Sequence, residues 1–118
     1  MSVKRIEKVA AEAVPDGVGV SKQVLISAEE APNFAMRCFT IQPGGSMLLH
    51  TNLVEHEQYV LSGSAKVVIG EETYTVEPGN VVFIPAGAAH TYVNNGSEPF
   101  RFLCLVPNRE DKTSIISS

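Results

Sequence analysis

Gly79-Asn80-Val81-Val82-Phe83-Ile84-Pro85-Ala86-Gly87-Ala88-Ala89-His90-Thr91-Tyr92-Val93-Asn94 reads as an apolar strand, a proline–glycine turn and a second strand. Valine, isoleucine, phenylalanine and tyrosine suit a pleated, half-buried surface, and Pro85 and Gly87 supply the reversal. His90 therefore follows directly on the turn of a hairpin. Working outward, the same rhythm recurs from Phe34 onward. The spacing predicts strands over Phe34–Gln42, Met47–Thr51, Glu57–Ser62, Ala65–Ile69, Thr73–Val76, Val81–Ile84, Ala89–Val93 and Phe100–Val106. Pro43-Gly44-Gly45, Ser62-Gly63-Ser64, Gly70-Glu71, Pro78-Gly79-Asn80 and Asn94-Asn95-Gly96 separate them. Many short strands with glycine and proline turns make an all-β sandwich or barrel.

The last strand is apolar on both faces: Phe102 and Cys104 point one way, Leu103 and Leu105 the other. A small barrel covers one face, so the other calls for a partner, and a homodimer is expected, with Val3–Val9 as a strand lent to the open sheet edge. The amino-terminal stretch supports two readings, a strand over Val3–Val9 or a helical turn over Lys8–Val14. Pro15-Asp16-Gly17 is a turn and Lys22–Ser27 is extended. The tail Asn108–Ser118, polar except for Ile115 and Ile116, is expected to fray.

A chain of 118 residues forms one domain. Its barrel is expected over residues 34–107, after a strand segment at 1–33 and before the tail at 108–118. Hydrophobic residues make up 44% and charged residues 19%, with a net charge of −4. That balance excludes a phosphate-binding surface, because nucleic-acid affinity is built from clustered Lys and Arg. Lys4, Arg5 and Lys8 do cluster, but Glu7 and Glu12 dilute them. The charged start lacks the apolar core of a signal peptide, and no apolar run nears the roughly 18 residues that span a bilayer. Cys38 and Cys104 sit in apolar strand patterns and are expected as reduced thiols, which makes the cytoplasm the expected location.

The chain holds three histidines, and all three fall where one ion could gather them. Residues two apart on a strand share a face, so His50 and Asn52 converge. His56 follows a short connection, and His90 arrives from the remote hairpin. Neutral imidazole is the commonest ligand for a divalent transition metal (Mn, Fe, Ni, Zn or Cu), and the donor type does not choose among these ions. Asn52 offers only an amide oxygen, as a direct ligand, through a water or as polar lining. Alternation places Gln58 with His56 in the pocket and Glu57 outside it, with Phe102 and Cys104 as an apolar wall. No residue stands out as a general base, so no catalytic residue is assigned.

These frames resemble the cupin superfamily. The pattern Gly-x5-Pro-x-Gly-x2-His-x3-Asn is matched at Gly79, Pro85, Gly87, His90 and Asn94. The other motif is matched at His50, at His56 or Glu57, and at Gly63, with Asn52 in place of a second histidine. The stretch His50–Gly63 is similar to small single-domain cupins whose manganese-type site uses four histidines. The resemblance implies a double-stranded β-helix, or jelly-roll, barrel, usually a homodimer, and makes Asn52 the departure from its ligand set. It leaves three functions in play for a small-molecule substrate or ligand. One is a metal-dependent oxidoreductase of dioxygenase type, with open metal positions for O2. Another is a non-catalytic or regulatory binder. The weakest is a sugar-type isomerase or epimerase.

Overall fold

A computed structural model describes residues 1–117. Its strands are β1 (Ala11–Ala13), β2 (Gly17–Ile26), β3 (Phe34–Met47), β4 (Leu49–Thr51), β5 (His56–Ser62) and β6 (Ala65–Ile69). They continue with β7 (Glu72–Val76), β8 (Val81–Ile84), β9 (His90–Val93), β10 (Phe100–Pro107) and β11 (Ser114–Ser117). Neighbouring strands run in the order β11-β4-β9-β3-β10-β5-β8, with β2 beside β3, β1 beside β2, β6 beside β9 and β7 beside β6. Every pairing is antiparallel. The sheet curls into two facing walls. One is built on β2, β3, β10, β5 and β8, the other on β11, β4, β9, β6 and β7. This is the jelly-roll barrel that the resemblance implies, and one of the two all-β forms, sandwich or barrel, expected from the turn spacing.

The long strand β3 joins the walls. Its first half pairs with β2 and β10, while Ser46 pairs with Val93 of β9. Pro43-Gly44-Gly45, expected as a break between strands, is instead the corner at which one strand changes walls. Gly44 has φ +82°, and a Cβ on Gly45 would lie 2.5 Å from the Val18 carbonyl oxygen. Neither position admits a larger residue without strain. Asn94, fully buried, holds the corner closed: its Nδ2 donates to the carbonyls of Ile41 and Glu98, both at 2.8 Å. The asparagine that closes the hairpin motif is thus a structural clamp, remote in role from the histidine four residues before it.

Between the walls lies a continuous apolar core that includes Ile41, Val60, Val67, Ile84, Phe100 and Phe102. Phe102 stacks on Phe39 at 5.4 Å and on Tyr92 at 5.1 Å between ring centroids. Both cysteines are free and buried.

Three further expectations are corrected. Val3–Val9 is not a strand; Ile6–Lys8 forms a 3-10 turn, held by the Gln23 amide, which donates to the carbonyls of Ile6 and Val9. The alternative helical turn over Lys8–Val14 is not formed either, since Ala11–Ala13 pairs with β2. The tail is not frayed through Ser117. It returns as β11 along β4, because β4 otherwise presents an open edge and Asp111 and Thr113 satisfy groups beside it. Among the described residues, no helix is long and apolar enough to cross a membrane.

Candidate metal and substrate site

The walls enclose a cavity of about 200 Å³. His50, Asn52, His56, Gln58, His90, Phe102 and Cys104, all expected from sequence, line it together. His50 in β4 and His90 in β9 are direct cross-strand partners, with ring centroids 4.2 Å apart. His56 opens β5 on the opposite wall, and its ring centroid lies 5.9 Å from that of His90. Strand alternation then turns Gln58 inward and leaves Glu57 in a separate outer groove beside Glu55. No bulge inverts the register at the start of β5, since His56 through Tyr59 pair in step with Ile84 through Val81.

Hydrogen bonds fix how two of the three rings are presented. Nδ1 of His50 lies 2.7 Å from the Leu48 carbonyl, and Nδ1 of His90 lies 2.9 Å from the Ala88 carbonyl. A carbonyl holds the proton on Nδ1 and leaves Nε2 with a free lone pair. Nε2 of His56 and of His90 are both buried without a partner. Burial pushes both rings down to about 4, helped at His56 by the positive charge of Arg37, so both are neutral at pH 7.

Asn52 completes the pattern from a direction the sequence did not suggest. Its Nδ2 donates to Thr113 Oγ1 at 2.9 Å and to Asp111 Oδ2 at 3.3 Å. A carboxylate only accepts, so it fixes which end of the amide faces the tail. The remaining oxygen, Oδ1, is buried and unpartnered.

Among the described residues, no group of three or more His, Cys, Asp or Glu side chains is gathered into a ready metal site. The donor chemistry nevertheless fits a divalent ion. Unpartnered buried acceptors cost about 1–3 kcal/mol each unless something satisfies them, and two imidazole nitrogens and an amide oxygen stand in that condition around one cavity. His50, His56 and His90, with Asn52 Oδ1, are the residues that would hold the ion.

The rest of the lining offers hydrogen-bond donors. Gln58 Nε2 donates to the Tyr92 hydroxyl at 2.7 Å. Burial pushes both the Tyr92 phenol and the Cys104 thiol up, so both keep their protons and neither serves as a base at neutral pH. Arg37, which the sequence reading passed over, also lines the cavity. Its signal was there: along β3 the inward positions run Ala35, Arg37, Phe39, Ile41, a cation inside an apolar stripe.

The model of the Cupin domain matches residues 37–106, more than half of the chain. The chain belongs to the cupin family. The fold of this cupin superposes on the polyketide cyclase RemF from Streptomyces resistomycificus with a TM-score of 0.92 and 31% identity, covering all of this chain and 87% of that one. In sequence, the cupin is 35% identical over 77 residues to mannose-1-phosphate guanylyltransferase RfbM of Salmonella typhimurium. That match covers 64% of this chain but 16% of the transferase. It is 29% identical over 96 residues to 1-methylthio-D-xylulose 5-phosphate methylsulfurylase of Rhodospirillum rubrum, covering 81% of this chain and 61% of that protein. The cupin thus spans less than two thirds of both sequence relatives.

Proposed function

We propose that this cupin is a metal-dependent enzyme that acts on a carbonyl- or enol-bearing small molecule without net oxidation. The observation that carries the proposal is the set of unpartnered acceptors, Nε2 of His56 and His90 and Oδ1 of Asn52, around one cavity. A divalent ion held there by neutral ligands alone would keep its charge and would supply Lewis-acid stabilisation to a carbonyl or enolate oxygen. The chain's own residues hold and shield the substrate. Phe39, Tyr92 and Phe102 stack as an apolar floor, and the Gln58–Tyr92 pair leaves the phenolic O–H as a donor. With Tyr92 and Cys104 held protonated, electrostatic stabilisation outweighs proton abstraction by the protein. The likeness to a polyketide cyclase across the whole chain supports carbonyl chemistry. A second reading, a dioxygenase, draws on the same neutral donor set, which leaves metal positions free for O2.

The test is elemental analysis of protein purified without a histidine tag, followed by turnover assays on 1,3-dicarbonyl compounds with and without oxygen. About one divalent ion per chain is expected, reduced strongly in His50→Ala, His56→Ala and His90→Ala. Turnover that proceeds equally under anaerobic conditions supports the proposal. Turnover that requires oxygen, with matching uptake, replaces it by the dioxygenase. The absence of any tight metal site rejects both and favours a non-catalytic binder.

A further inference from the structure

Two arginines point their guanidinium groups at the two cysteines, and they differ in how they are satisfied. Arg101 reaches Thr40 Oγ1 at 3.4 Å, Gln23 Oε1 at 3.5 Å and Cys38 Sγ at 3.6 Å. Its donors are met by oxygen acceptors, as expected of a structural residue. Arg37 has only Cys104 Sγ, at 3.4 Å, and the face of the Phe39 ring, 5.0 Å from its Cζ. Thiol sulfur is a weak acceptor, and a guanidinium carries five N–H donors. Arg37 Nε is buried with no partner. Ion pairs among the described residues join Lys4 to Glu30, Arg5 to Glu7 and Lys22 to Glu12, and none includes Arg37. Asp16 lines the same cavity without pairing with it.

An incompletely satisfied cation on the wall of a cavity calls for an anion. We infer that Arg37 anchors a carboxylate on the small molecule this cavity takes, an assignment that rests on reading the cavity as a substrate site. The fork of a guanidinium matches the two oxygens of a carboxylate. Among the side chains alone, charge favours that group over a phosphate dianion. The other cation in the lining, Lys22, is already 3.5 Å from Glu12, and Asp16 adds a negative charge, so at most one positive charge is offered to a ligand. The Phe39 ring lies under the guanidinium, 5.0 Å from its Cζ, and offers it a π face but no hydrogen-bond acceptor oxygen.

The test compares acetoacetate with its uncharged methyl ester and with inorganic phosphate, by calorimetric titration of the protein as purified and after treatment with a chelator. The chelated sample separates the two ideas: an anion preference there cannot come from a metal, so the anchor can fail while the metal reading stands, and the reverse. Acetoacetate is expected to bind about tenfold or more tightly than the ester in both samples, a difference of about 1.4 kcal/mol. Arg37→Met should abolish that preference while leaving ester binding and the melting temperature near those of the wild type. Arg37→Lys should keep a reduced preference. If Arg37→Met fails to fold, the acid–ester comparison on the wild type and Arg37→Lys still decides. Equal affinity for acid and ester, or a preference that survives Arg37→Met, overturns the assignment. Phosphate binding more tightly than acetoacetate overturns the choice of a carboxylate.

Discussion

Replacing Asn52 by aspartate changes one NH2 for one oxygen and tests the whole arrangement around the tail. In the wild type, Asn52 Nδ2 sits 3.3 Å from Asp111 Oδ2 and 2.9 Å from Thr113 Oγ1. The threonine hydroxyl can rotate and donate to the new oxygen, so that contact survives. The contact with Asp111 becomes two carboxylates face to face. At 3.3 Å the repulsion is about 1 kcal/mol in water and about 5 kcal/mol at an effective dielectric of 20. Protonation sets an upper limit. A carboxyl of ordinary pKa near 3.9 costs about 4 kcal/mol to protonate at pH 7, and once protonated it restores the donor that the amide supplied. Asp111 is exposed and Asn52 buried, so a value of about 2 kcal/mol is expected, or a melting temperature lower by about 8 °C in metal-free protein.

The sign of the pH dependence follows. The new carboxyl has a folded pKa above its unfolded value, so the folded state binds the extra proton. The variant should match the wild type below about pH 4 and lose stability relative to it as pH rises towards 7. Divalent metal should reverse the order. An anionic oxygen in place of the amide oxygen should tighten Mn2+ binding about tenfold or more, adding about 1.4 kcal/mol to metal-dependent stabilisation. Thermal melts at pH 4, 5.5 and 7, with and without Mn2+, read both effects. Wild-type stability at pH 7 without metal would refute the placement of the amide against Asp111. An unchanged response to Mn2+ would refute the claim that position 52 presents its oxygen to the ion.

Two further outcomes are expected. With His56 and His90 both held near 4 against an ordinary 6.5, the unfolded chain binds more protons between those values, so metal-free protein should lose stability as pH falls from 6.5 to 4. The loss is about 3 kcal/mol per ring at most; urea melts of the wild type and of His90→Gln should diverge across that window, and parallel profiles would contradict the burial argument. The chain should also associate as a homodimer through the open β8 edge, where Val81, Phe83 and Tyr59 are exposed and Leu103 continues the row across β5 to β10. Sedimentation at micromolar concentration should give a dimer that Val81→Lys dissociates, whereas a monomeric wild type would discard the idea.

Much of the barrel was legible because its signals are local. Strands β6, β8 and β10 lie within a residue of where alternation and turn residues put them, since burial on one face writes a period of two into the chain. The corner at Pro43-Gly44-Gly45 was misread for a physical reason. The same glycines that end a strand also let one strand bend between walls, and only the partners of Ser46 tell the two apart. The amino-terminal turn was illegible because a single glutamine side chain, 14 and 17 residues away, decides it.

The candidate site divides along the same line. Histidine is scarce here, and its placement after turns made His50, His56 and His90 readable, as alternation did for Gln58, Phe102 and Cys104. Position 52 was not readable in this way. Set against a four-histidine pattern, Asn52 reads as a ligand lost, a neutral group where a better donor belongs. Yet the tail supplies an acceptor 59 residues away that takes the amide nitrogen and leaves its oxygen buried and unmet. A histidine could not keep both contacts to Asp111 and Thr113 and still offer a lone pair from the same position. The tail and the asparagine therefore read as one device, and the polar stretch expected to fray is part of what shapes the site.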